Sequence, residues 1–340
     1  MAKVELLKKV FATNKDKCVY CHLCVAACPV KAIKLSLDTL EIDNTICIYC
    51  GHCWQACKTG AITINSESSL AEKIIATRPT VALITSETIA AFEQVMPGQL
   101  AEALKELGFI AVEESLLGEE IVAYHYLKHF TGTNSPAIRS TCPAIVNLIE
   151  MYYPEYLNLL VPLANPVLVQ ARLIKLLYPD SPAVISIGPC TAQKILAGQN
   201  SELDLSLTFA ELKELFQNHN IDPKTLSNKT TSWTVKRSLS APGGFPMTFL
   251  SYKGSGSLIV EHSLKKSSEA LANLSLSTKK RFLDLLACDG CLNGPAFPPD
   301  NKLSRLKRLQ EVYAQNNFKP SFNWQSLVPK NLNVSYSFQP

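Results

Sequence analysis

With 340 residues, 47% of them hydrophobic, the chain has enough apolar material for two or three packed domains. Its formal charge is only +4, from 33 basic and 29 acidic side chains, and no stripe combines Lys and Arg with aromatics, which argues against nucleic-acid partners. The opening Met-Ala-Lys-Val-Glu-Leu-Leu-Lys-Lys lacks the apolar core of a signal peptide, and Leu157 to Val169 is broken by Pro162, Asn165 and Pro166. A soluble cytoplasmic protein without a membrane span is expected. In that setting, 12 cysteines grouped at metal-ligand spacing read as reduced, metal-bound thiols and not as disulfides.

Residues 1–66 carry an internal repeat. Cys18-x2-Cys21-x2-Cys24-x3-Cys28 recurs as Cys47-x2-Cys50-x2-Cys53-x3-Cys57, with Tyr20 matched by Tyr49 and Lys31-Ala32-Ile33 by Gly60-Ala61-Ile62. Three cysteines at successive two-residue gaps are foreign to zinc modules, which use separated pairs. The run is that of a two-cluster module in which the fourth cysteine serves the other cluster. One [4Fe-4S] cluster is thus expected on Cys18, Cys21, Cys24 and Cys57, and a second on Cys47, Cys50, Cys53 and Cys28. The stretch resembles a bacterial ferredoxin over about 50 residues, with Lys58 standing where the first repeat has Pro29. His22 and His52 lie inside the runs, but four thiolates per cluster leave them supporting or surface roles. Eight lysines against five acids in this segment suggest a redox partner with an acidic face.

Ser66 to Ser69 reads as a linker and helix cap leading into Leu70–Thr77. Thr80–Thr85 is an apolar run suited to a strand buried on both faces, followed by a helix over Glu87–Val95. Gln99–Leu107 predicts a helix ended by Gly108, and Phe109–Val112 a strand. Helices are expected at Glu119–Phe130, Ala144–Tyr152 and Val167–Leu177, and a strand at Ala183–Ile187. Thr208 and Glu211 form a capping box for the helix that follows. This alternation predicts parallel sheets covered by helices, with ligands at the carboxyl ends of strands. Ala241 to Pro246 is a glycine-containing loop. Leu303–Tyr313 is expected to be an amphipathic helix with a solvated charged face, and Pro320–Pro340 a tail that wraps an edge or is loosely held.

Four cysteines remain outside the repeat: Cys142, Cys190, Cys288 and Cys291. Four is the ligand count of a cubane cluster, and Cys288-Asp289-Gly290-Cys291 presents two of the sulfurs on one short loop. A third cluster is therefore expected on loops far apart in sequence.

Ser140-Thr141-Cys142-Pro143, Gly188-Pro189-Cys190-Thr191-Ala192 and Cys288-Asp289-Gly290-Cys291-Leu292-Asn293-Gly294-Pro295 resemble, in order, the three signature segments of the [FeFe]-hydrogenase catalytic domain. The resemblance spans nearly the whole chain after Thr80. It implies two α/β lobes enclosing a [4Fe-4S] cluster, beside which the family carries a two-iron subsite with carbonyl and cyanide ligands. The departures fall on that subsite. Thr141 stands where the family has a proton-relaying cysteine, Gln193 where a lysine contacts cyanide, Leu286 where it has methionine, and the last cysteine pair is one residue closer. Lys194 is adjacent to Gln193, but about 100° around a helix. Glu113, Glu114, Glu119 and Glu120 lie where hydrogenases place proton-path acids and read as exposed helix-end side chains.

The fold expected is α/β: a two-cluster ferredoxin module at 1–66, a linker at 67–79, a two-lobed hydrogenase-like domain with parallel sheets at 80–300, and a C-terminal helix and tail at 301–340. The function expected is that of a three-cluster redox protein serving electron transfer or redox sensing without significant H2 turnover. The third cluster is either a plain cubane or one carrying an extra ligand, and a diiron subsite is not expected. The alternatives are a functional hydrogenase and a cluster scaffold or carrier.

Overall fold

The structure, a computed structural model, describes residues 9–132, 135–228, 257–274, 281–297, 303–308 and 328–338. The N-terminal unit comprises β1 (Phe11–Thr13), α1 (Leu23–Ala27), β2 (Ile33–Leu35), β3 (Leu40–Ile42), α2 (His52–Ala56) and β4 (Ile62–Ile64). β1 pairs antiparallel with β4 and β2 with β3. The sequence repeat is also a backbone repeat. Tyr20, His22 and Lys31 adopt φ of 55°, 59° and 57°, and their counterparts Tyr49, Gly51 and Gly60 adopt 58°, 77° and 70°. Left-handed residues cost a non-glycine side chain about 1–2 kcal/mol each, so their recurrence at equivalent points marks turns that the cysteine runs require.

The next unit is a four-stranded parallel sheet in the order β6-β5-β8-β9, formed by β5 (Thr80–Ile84), β6 (Ala111–Glu114), β8 (Ala183–Gly188) and β9 (Leu205–Thr208). Every residue of β5 is buried, as its unbroken apolar run predicts. Ala82 and Ile84 face α3 (Ser68–Thr77), α5 (Pro97–Glu106) and α10 (Phe209–Asn218). Val81 and Leu83 face α6 (Leu116–Gly132) and α8 (Pro166–Leu177). The predicted capping box forms, with the Thr208 amide donating to Glu211 Oε2 at 2.7 Å and the Glu211 amide to Thr208 Oγ1 at 3.4 Å.

A second parallel sheet, β10-β11-β7, uses β7 (Ala137–Ile138), β10 (Ser257–His262) and β11 (Arg281–Leu286), with α7 (Pro143–Tyr152) and α11 (Leu264–Ala272). Its core is continuous with that of the N-terminal unit: Ile48 and Tyr49 belong to the same buried cluster as Ile145, Leu148 and Leu285. The cysteine repeats thus share a core with the second lobe.

Three expectations change. The helix at Glu87–Val95 shrinks to α4 (Thr88–Ala91), because Phe92 leaves the helix to pack edge-on against Phe209 and Phe216. The strand at Phe109–Val112 shifts to Ala111–Glu114, where Val81 pairs with Ala111 and Ile84 with Glu114. The helix expected at Leu70–Thr77 begins two residues earlier, at Ser68, where the Ser66 and Ser68 hydroxyls donate to Glu214 Oε2 at 2.7 and 2.8 Å. The loop Ala241–Pro246 and the helix beyond residue 308 lie outside the described residues. The described part of the tail lies against α8 and the segment before it, with Arg172 Nη1 donating to the carbonyls of Asn333 and Ser335, both at 3.0 Å, and Leu163 bridging antiparallel to Ser335.

Candidate metal centre

The two lobes present the carboxyl ends of their strands to one another, and a cavity of about 100 Å³ lies between them. That volume would take roughly seven to ten water molecules, a scale that suits an iron–sulfur cube. Cys142, Cys190, Cys288 and Cys291 all line it. Cys142 follows β7 and caps α7, with Pro143 supplying the preset φ of the first helical turn. Cys190 follows β8, and Cys288 follows β11. Between the last two cysteines Gly290 takes φ 84° and ψ 160°, a conformation open to glycine alone, and Cys291 begins a short 3-10 turn. Loop packs on loop, because the Ala296 amide donates to Pro189 O at 3.1 Å.

Burial pushes the Cys190 thiol up to about 12 and raises Cys288 and Cys291 well above the ordinary value, with neighbouring cysteines adding to the effect. Such a set has no means of its own to hold several thiolates together. Iron would supply the compensating charge, so the donor set fits a cluster whose binding would expel protons. Among the described residues, no three His, Cys, Asp or Glu side chains are arranged to hold a single metal ion.

The N-terminal cysteines fall into two groups. Cys24, raised by burial, has Cys57 and Cys18 as near neighbours. Cys47, Cys50 and Cys53, also raised by burial, all have Cys28 nearby. The fourth cysteine of each run therefore sits with the other run, as the crossing rule demands. Backbone amides donate to Cys28, Cys47 and Cys57 Sγ at 3.2, 3.4 and 3.3 Å, bonds that favour a charged sulfur. Cys21 is exposed, as are His22 and Lys58, whereas His52 is half-buried and its pKa is lowered by burial.

Cys50 also lines the interlobe cavity, so the second cysteine run abuts the third site. The contact is close: Thr191 Oγ1 donates to Tyr49 O at 2.7 Å, and a Cβ on Gly51 would stand 2.6 Å from Pro295 Cβ. Gly51→Ala is therefore expected to cost about 1–3 kcal/mol in backbone strain plus the clash. A lowered guanidinium-chloride midpoint against wild type is the expected result.

Thr141, Gln193, Leu286 and Gly290, the positions of the sequence departures, all line the cavity. Thr141 Oγ1 accepts from Arg139 Nε, and Arg139 Nη1 pairs with buried Asp284 at 2.8 Å. Lys194 is wholly buried and turned away, its Nζ 2.7 Å from Glu211, 2.8 Å from Glu67 and 3.1 Å from Ser206 O.

Two acids at the cavity were misjudged or missed. Glu119 is 8% exposed and is no helix-end surface acid: its Oε1 accepts from Ser115 at 2.8 Å and Ser86 at 3.3 Å. Glu87, at the carboxyl end of β5, is 5% exposed and lines the same cavity. The rule placing ligands at strand carboxyl ends, applied to Thr85-Ser86-Glu87, would have found it. Burial, then the Glu87 charge, raises the Glu119 carboxyl to about 8, and burial raises Glu114 to about 7. Glu119 is thus protonated at pH 7, and stability falls as pH rises from the ordinary 4.5 towards 8 because the unfolded chain gives up that proton first. Infrared difference spectra of wild type against Glu119→Gln should show a protonated carboxyl band that disappears near pH 8.

The expected solvated face of 303–308 holds for Lys307 and fails for Arg305. Arg305 is buried, donates to Asn293 Oδ1 at 2.9 Å and stacks on Phe297 at 4.8 Å, while Leu303 is 79% exposed. The arginine turns inward because it braces the last cysteine loop.

Residues 72–251, more than half of the chain, match the family model described as iron only hydrogenase large subunit, C-terminal domain. Residues 11–34 and 40–63 match the 4Fe-4S binding domain. Among solved structures, a glutamate-to-alanine variant of the [FeFe]-hydrogenase HydA1 from Chlamydomonas reinhardtii is similar with TM-score 0.60 and 16% identity, over 81% of this chain and 100% of that one. A structure concerned with oxygen inactivation of the [FeFe]-hydrogenase H cluster gives 0.61, and one concerned with stepwise H-cluster assembly 0.59, each at 16% identity and the same coverage. At this identity the likeness is one of fold. Among the described residues no helix is long and apolar enough to cross a membrane.

Proposed function

The chain belongs to the iron-only hydrogenase large-subunit family, and we propose that within it this protein is a three-cluster redox protein for electron transfer or redox sensing, without significant H2 turnover. The ligand sets are Cys18, Cys21, Cys24 and Cys57; Cys47, Cys50, Cys53 and Cys28; and Cys142, Cys190, Cys288 and Cys291. Bound [4Fe-4S] clusters would supply one-electron storage. The observation that carries the reading is the position of Cys50 in the wall of the cavity lined by the last four cysteines. The first set is the outer one, with Cys21, Val19 and Leu23 exposed beside Lys15, Lys17 and Lys58. A partner with acidic groups around an apolar centre would complement that face.

Against an anionic diiron subsite stand Thr141, whose hydroxyl already accepts from Arg139, and Gln193, with Lys194 committed to Glu211 and Glu67. Glu87 adds a carboxylate to the same wall. A working hydrogenase is favoured by one observation, the buried acid Glu119 at the cavity. Anaerobic infrared spectroscopy after maturation with a diiron precursor separates the two. The proposal expects about twelve irons per chain and no carbonyl or cyanide stretches, and the appearance of those stretches would overturn it.

A further inference from the structure

We propose that a second cavity, beside α10, binds an organic monophosphate of mononucleotide size, and that its occupancy is felt at the last cysteine loop. The cavity measures about 550 Å³ and, among the described residues, shares no lining residue with the interlobe cavity. Ligand sites run to roughly 300–1,000 Å³, so a molecule of that class fits. Its floor is apolar. Phe92, Phe216 and Phe297 line it, all three buried, and belong to one aromatic cluster in which Phe92 meets Phe216 at 6.1 Å and Phe209 meets Phe297 at 5.1 Å. Cations stand on that floor: Lys213 Nζ lies 5.5 Å from the centre of the Phe92 ring and the Arg305 guanidinium 4.8 Å from that of Phe297. Lys224, in the turn Pro223–Thr225, completes the set, its Nζ 3.1 Å from Gln94 Oε1.

Charge and shape together select the class. Among the described residues neither Lys213 nor Lys224 has an ion-pair partner. A ring face holds an exposed ammonium by about 0.5–1 kcal/mol, less than a charged hydrogen bond to an anion would add. The two carboxylates of the lining already accept, Glu93 from the Ser304 hydroxyl at 3.3 Å and Asp222 from the Lys224 amide at 3.0 Å. A free phosphate would leave the floor bare, and a neutral aromatic would leave the lysines unmatched. Point charges on two separate elements suit a phosphate dianion, and the spare lone pairs of Glu93 and Asp222 suit the hydroxyls of a sugar. One wall leads to the last cysteine loop: Arg305 donates to Asn293 Oδ1 at 2.9 Å, Asn293 Nδ2 to Asp289 O at 2.7 Å, and the Phe297 amide to Gly294 O at 3.0 Å. A phosphate drawing on Arg305 competes with Asn293 and so loads the loop from Cys288 to Cys291. That coupling rests on the reading that this loop carries the third cluster.

The test uses the full chain with its clusters reconstituted anaerobically. AMP and UMP, a larger and a smaller ring on the same phosphate, are titrated calorimetrically, with adenosine, uridine and inorganic phosphate as the separate halves. Saturable binding of at least one mononucleotide is expected, about tenfold or more tighter than either of its halves, with a change in the electron paramagnetic resonance signal of the third cluster only. Lys213→Ala and Lys224→Ala should each weaken it by about tenfold at unchanged iron content, and both side chains are exposed, so the fold should tolerate their loss. Absence of saturable binding by both mononucleotides, equal binding of phosphate alone, or full affinity in Lys213→Ala would overturn the site. A full complement of about twelve irons with a third-cluster signal untouched by saturating nucleotide would overturn the coupling. A shortfall of about four irons would instead remove the reading beneath it, so the two failures are distinguishable.

Discussion

Cys142→Ser protein is expected to lose about four irons per chain, one cluster's worth, while both N-terminal clusters keep their spectra. Cys142 sits at the N-cap of α7, its helix held by Ile145, Leu148 and Ile149 in the core shared with the N-terminal unit. Serine is nearly isosteric and a favoured N-cap residue, so the helix should survive the change. Removal of the sulfur leaves Cys190, Cys288 and Cys291 as thiols that burial already holds protonated. A hydroxyl is a far poorer iron ligand, and three neutral thiols offer little to retain a cube. The same change at exposed Cys21 should spare the third cluster and remove an outer one. Iron analysis and electron paramagnetic resonance of the two variants check the assignment. Undiminished iron in Cys142→Ser would mean that the cavity sulfurs do not share a cluster.

Much of this was legible in the chain because cysteine spacing and strand patterning are local signals. The repeat from Cys18 to Cys57 and the unbroken run at Thr80–Ile84 need no tertiary knowledge. The convergence of Cys142, Cys190 and Cys288 was inferred from leftover ligands and from the resemblance, and the interlobe cavity unites them. What escaped was decided by partners remote in sequence. Glu119 reads as a helix-end acid until Ser86, 33 residues away, is found against it. Arg305 belongs to a charged run until Asn293 and Phe297 draw it inward. Glu87 was absorbed into a helix that ends early because Phe92 has aromatic partners more than a hundred residues on.

Asp284→Ala is expected to destabilise the protein by about 3–5 kcal/mol, the range for breaking a buried ion pair by removing one partner. Asp284 is fully buried in β11 and Arg139 is 6% exposed at the end of β7. Their 2.8 Å pair joins the strand that leads to Cys288 with the segment that leads to Cys142. Without the carboxylate, the guanidinium stays buried without its counter-ion. Against total stabilities of 5–15 kcal/mol typical of domains, this loss should lower the guanidinium-chloride midpoint and speed iron release to a chelator. The double variant Arg139→Leu/Asp284→Leu separates pairing from packing. Removing both charges leaves no buried ion behind, so it should be less destabilised than Asp284→Ala even though more polar contacts are gone. If the double variant is instead worse than the single one, the pair itself contributes the stability, and the penalty of a stranded charge does not explain the effect.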